Sequence, residues 1–157
     1  MQETTRTMPY ATPQDLIDRL GAREATALSD RFATGQPDLA VLAQALALAQ
    51  DEVNGYVGRR YALPLATGTG ALAAVPSMLT RLSVDVARYR QTGTEIMETE
   101  AIRNRFKDAV KVLEQIADGR VSLGDLMLAT AGGPASVGGN SAVRAPIKAF
   151  SDLRQVL

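Results

Sequence analysis

The chain has 157 residues, 17 basic and 17 acidic side chains, and neither cysteine nor histidine. That length supports one domain with one real core. The missing residue types exclude disulfides, thiol chemistry, Cys- or His-based zinc sites and histidine acid-base catalysis. The balanced charge gives no basic excess of the kind that drives non-specific DNA binding, and no apolar run reaches the roughly 20 residues of a membrane span. No secretory signal pattern opens the chain.

In chain order, Thr12 and Pro13 predict the start of a first helix, with Asp15 in its first turn and Gly21 as its stop. Leu16, Ile17 and Leu20 form its apolar stripe. Residues 22–30 suit a further short helical turn, and residues 30–38, with Gly35 and Pro37, a connector. A second long helix is expected from about Pro37 to Tyr56, because Leu39, Leu42, Leu46, Ala49, Val53 and Tyr56 recur at steps of three and four. Val41, Ala45 and Leu48 widen that stripe, which predicts contact with more than one element. Residues 62–74 read as a loop, with an optional short strand over Arg60–Leu63.

Pro76 is expected to open a third helix that runs to Tyr89 or Arg90 on a buried face of Leu79, Leu82, Val86 and Tyr89. Thr94 is expected to cap a fourth, running to Ala117 or Asp118, with Ile102, Phe106, Ala109, Leu113 and Ile116 inward and Gly119 as its stop. The pattern is mainly α: a compact bundle of three substantial helices, one or two short N-terminal helices, and a flexible C-terminal arm. The expected division is a helical domain over residues 1–128 and a Gly-rich segment plus arm over 129–157. Val143, Ile147, Phe150 and Leu153 give the arm an apolar pattern suited to ordering against a neighbour.

No constellation in the sequence points to catalysis, a metal or a cofactor, and none of the three is expected. Gly132-Gly133 and Gly138-Gly139 lack the Lys and Ser/Thr register of a phosphate loop. Asp51 and Glu52 read as a solvated helical face. Arg59 and Arg60 suit either a partner contact or the flank of the second helix. Arg81 and Asp85 have i,i+4 spacing, and Asp85 is equally suited to an arginine across the fold. The expected interface residues are Arg59, Arg60, Tyr61, Arg88, Val143, Ile147, Phe150 and Leu153. Those expected in the core or between helices are Tyr56, Leu82, Asp85, Val86, Tyr89, Phe106 and Leu113.

Four stretches carry a family resemblance: MPYATPQDLIDRLG (residues 8–21), LAQDEVNGYVGRRYALPL (48–65), LTRLSVDVARYR (79–90) and FKDAVKVLEQIADGRVSLG (106–124). Together they resemble a family of small Mu-like phage proteins encoded among head and tail morphogenesis proteins, which is in turn similar to helical head-tail connectors (adaptors). The resemblance implies a non-enzymatic virion protein located at the neck and, during assembly, in the host cytoplasm. It implies a homo-oligomeric ring, twelve copies in many such adaptors, beneath the portal protein and above a stopper or tail-completion protein. DNA would pass through without sequence-specific binding. The alternatives are another head- or tail-completion accessory, or a small DNA-binding or regulatory module.

Overall fold

A computed structural model describes residues 8–93 and 97–129. Five helices follow in order: α1 (Pro13–Leu20), α2 (Ala22–Ser29), α3 (Leu39–Val57), α4 (Ser77–Thr92) and α5 (Glu100–Ala117). The fold is mainly α, with three substantial helices and two short N-terminal ones. Helices α3, α4 and α5 pack against one another, and α1 and α2 lie across α3 and α4.

Local chemistry sets most of the boundaries. The Thr12 hydroxyl accepts the Asp15 amide while the Asp15 carboxylate accepts the Thr12 amide, a reciprocal capping box at α1. The Thr12 hydroxyl also donates to that carboxylate at 2.7 Å, and this bond, with the Thr12 amide after it, holds the Asp15 carboxyl below its usual range. Gly21, at φ 87°, ends α1 and begins α2 in one residue, a conformation that disfavours any side chain. Asp38 caps α3 by accepting the Ala40 and Val41 amides. Its own amide donates to Ser29 Oγ, which locks the end of α2 to the start of α3.

Two boundaries differ from expectation. Helix α3 starts at Leu39 rather than Pro37, because Asp38 takes the cap. Helix α5 starts at Glu100, not after Thr94: the capping hydroxyl is Thr99, which accepts the Ile102 amide at 3.3 Å. The Glu98–Arg103 ion pair, 2.5 Å, then clips the entry to the first turn.

The core runs through all five helices. Leu16, Leu42, Val53, Leu82, Val86, Leu113 and Ile116 are fully buried or nearly so. The optional strand over Arg60–Leu63 appears only as an isolated antiparallel bridge of Tyr61 with Leu128, and a second such bridge joins Thr67 to Leu126. The segment 126–129 lies along residues 60–67 through Ala62 N–H to Met127 O, Met127 N–H to Ala66 O and Ala129 N–H to Arg60 O. A third strip, residues 71–73, returns onto 65–67. Too few residues pair in register for a sheet, and the three strips form a small platform at the C-terminal end of α3. The expected Gly-rich segment and the arm residues Val143, Ile147, Phe150 and Leu153 lie outside the described residues.

Candidate assembly surface

Helix α4 is the hub of the charged network. Asp85, only 6% exposed, accepts two hydrogen bonds from Arg19 on α1, at 3.3 and 3.1 Å. Arg88 donates to Glu24 on α2 at 2.5 Å. Arg90 grips Glu52 on α3 with two bonds of 2.9 Å, and these bonds to Glu52 raise the Arg90 pKa further. Three successive charged positions thus tie α4 to three different helices. Arg81 is exposed and is not the partner of Asp85; the guanidinium from α1 supplies the paired geometry that a buried carboxylate needs.

Aromatic contacts join α4 to α5. The Tyr89 and Phe106 rings stack at 4.1 Å with 11° between their planes, and the Arg90 guanidinium lies 5.1 Å from the Phe106 centroid. Tyr56 packs on the edge of the same core.

The structure separates the residues expected at an interface. Arg59 is exposed. Tyr61 is instead 2% exposed, and its hydroxyl accepts the Leu123 amide at 3.0 Å. Burial pushes that hydroxyl up, but the Leu123 amide, Ser122 and Arg60 outweigh it and leave the pKa lowered. Arg60 folds over Gly119: a Cβ there would meet the mobile end of the guanidinium at 2.2 Å, and the glycine's φ of 79° is what disfavours a side chain. Arg60 thus sits at the C-terminal end of α5, where a cation suits the helix dipole. Arg88 is held by Glu24. Of the four expected contact residues that are described, Arg59 alone faces solvent freely.

Two apolar surfaces lie elsewhere. On the platform, Leu63, Leu72, Met127 and Leu128 are exposed, and Met8 joins Leu72 around a shallow hollow with Pro64. On α3, Leu39 is 56% and Leu48 63% exposed, with Ala40, Ala43 and Ala47 exposed beside them. The sequence had placed Leu39 and Leu48 in the buried stripe. A groove of about 360 Å³ runs between residues 9–13 and α3, over Ala43, Leu46 and Ala47, with Asp51 at its edge. Tyr10 holds the groove wall in place: its amide donates to Gln50 Oε1 at 2.9 Å and its hydroxyl to Asn54 Oδ1 at 2.6 Å. Burial raises the Tyr10 pKa to about 12.

Among the described residues no group of three or more His, Cys, Asp or Glu side chains converges to hold a metal, and no helix is long and apolar enough to cross a membrane. The molecule belongs to the class of small all-helical domains whose distinctive surfaces are apolar rather than chemically reactive. Within that class the chain belongs to the family described as Bacteriophage Mu, Gp36, whose model matches residues 10–142. It is 38% identical over 118 residues to "Gene product J" of Escherichia phage Mu, covering 74% of this chain and 77% of that protein. It is 30% identical over 115 residues to "Mu-like prophage FluMu protein gp36" of Haemophilus influenzae, covering 73% and 75% respectively.

Proposed function

We propose that this protein is a structural subunit of the virion neck, a head-tail connector that assembles as a homo-oligomeric ring beneath the portal. The observation that carries this reading is the outer face of α3. Fully burying one leucine side chain is worth about 1.5–3 kcal/mol, and this face leaves Leu39 and Leu48 largely unburied in the isolated chain. A ring offers cover for it on every copy. Family membership places the chain among Mu-like phage proteins and supports a virion role.

In this reading the platform residues Leu63, Leu72, Met127 and Leu128, with Arg59, meet the portal or the downstream stopper or tail-completion protein. Residues 143–157 act as the arm that grips a neighbour. The bore passes DNA without sequence-specific contacts, the protein needs no cofactor, and it performs no catalysis. Assembly takes place in the host cytoplasm.

Electron microscopy of the purified protein mixed with its cognate portal tests the reading. A closed ring docked on the tail-facing end of the portal is expected. Monomers that never bind the portal, at concentrations where necks form, would refute it. Docking elsewhere on the neck would favour a head- or tail-completion accessory. A tight, salt-dependent complex with linear duplex DNA would favour a DNA-binding module.

A further inference from the structure

The connector between α2 and α3 carries a feature that the fold itself does not use. The Asp30 carboxylate accepts the Thr34 amide at 2.9 Å and the Gly35 amide at 2.7 Å, which closes a tight turn. Within the turn, Ala33 is held at φ 55°, a left-handed conformation that costs a non-glycine residue of the order of 1–3 kcal/mol. At the tip stands Phe32, 83% exposed and one of only three phenylalanines in the chain. A turn fixed by its own hydrogen bonds therefore presents an aromatic ring to solvent, which spares a partner the entropy of ordering it.

The groove along α3 has the complementary form. Its volume of about 360 Å³ exceeds the 150 Å³ or so of apolar cavity that suffices for benzene. Small residues, Ala11, Ala43 and Ala47, line it, and the Tyr10 hydrogen bonds to α3 keep its wall in place. The charges also match. Arg31, beside Phe32, is exposed and in none of the ion pairs among the described residues, and the same holds for Asp51 at the groove's edge. The carboxylates flanking the knob, Asp30 and Asp38, are turned back onto backbone amides.

We infer that Phe32 of one copy seats in the α3 groove of a second copy, with Arg31 meeting Asp51. The contact uses different surfaces on its two sides, so it runs head to tail and closes into a ring when the rotation permits. It rests on the homo-oligomeric reading above and names the surfaces that reading leaves open.

The chain's lack of cysteine makes the test clean. A double variant, Arg31→Cys with Asp51→Cys, keeps Phe32 and the groove intact. Both positions are exposed, and circular dichroism checks that the fold is unchanged. Mild oxidation, of the variant alone at high concentration and of the variant with portal, should give a ladder of disulfide-linked species on a non-reducing gel. A mixture of the two single variants should stop at dimers. Adding Phe32→Ala should cut the ladder about tenfold, the loss that 1.4 kcal/mol of anchor energy produces.

No intermolecular disulfide in either condition overturns the inference. So does a ladder indifferent to Phe32→Ala, or linkage equally strong in each single variant by itself. Rings on the portal without the disulfide would leave the connector reading standing and this contact refuted. A Phe32-dependent ladder without portal docking would do the reverse.

Discussion

On α5 the residues that face outward include Arg103, Asn104, Lys107, Asp108, Lys111 and Glu114; on α3 they include Leu39, Ala40, Ala43, Gln44, Ala47 and Leu48. The two helices are close in length and bury their inner stripes in one core. Their difference lies entirely in what they offer to the outside. Charged residues of both signs on α5 keep that helix in water. The outer face of α3 carries no charge between Leu39 and Gln50, and an apolar helical surface of that extent is suited to a partner. Inner faces therefore report on stability, whereas outer faces divide a charged wall from an apolar one.

The comparison is most strongly tested in the core, where the two helices should behave alike. Leu42→Ala on α3 and Leu113→Ala on α5 each remove a fully buried side chain, and each should cost about 2–5 kcal/mol in chemical denaturation. A large disparity would show that one helix is peripheral to the cooperative unit.

Next in size is Arg19→Ala, which strands the buried Asp85 carboxylate without its two hydrogen bonds. A loss of about 1–3 kcal/mol is expected in the same measurement, with Arg81→Ala near neutral. Equal effects of the two variants would break the assignment of the pair.

Tyr10→Phe deletes the hydrogen bond to Asn54 that anchors the groove wall and should cost about 1 kcal/mol. Because folding raises the Tyr10 pKa from 10.0 to about 12, the neutral hydroxyl is the form the fold favours. Its contribution is full below pH 10 and fades as pH climbs through 12. In an absorbance titration, a tyrosine step near pH 12 is expected and should vanish in Tyr10→Phe.

The smallest thermodynamic effects separate the outer faces. Leu48→Glu and Lys111→Glu should each leave stability within about 0.5 kcal/mol. In sedimentation or micrographs with portal, only Leu48→Glu should abolish assembly. Loss in both would erase the distinction between the two helices.

Much of this architecture can be read from local sequence. Thr12, Pro13, Asp15 and Gly21 bound α1 because capping needs only neighbours, and the α4 and α5 stripes follow from the 3.6-residue period. The start of α5 is ambiguous in the sequence because Thr94 and Thr99 are equally able to cap; the choice falls to Thr99, whose hydroxyl the Ile102 amide reaches. Periodicity also reads Leu39 and Leu48 as inward, since an apolar residue on an outer face and one that enters the core look the same in a single sequence. The Asp85–Arg19 pair spans 66 positions, and no local pattern specifies it. Tyr61 follows two arginines and so resembles a surface residue, yet the bridge to Leu128 and the Leu123 amide draw it inside. Phe32 carries no periodic signal at all. Only the Asp30 turn shows that it is held outward.

The platform at the end of α3 has a mechanical meaning. Ala129, the last described residue of this stretch, lies on a strip bonded antiparallel to residues 60–67, not at a free helix end. A pull on Ala129 itself would first break the Ala129–Arg60 bond and then the pair centred on Met127 before it reached Tyr61 and the α5 terminus. The strip works as a cleat. Force on Ala129 would be shed onto a short run of replaceable hydrogen bonds, while the helices behind it keep their packing.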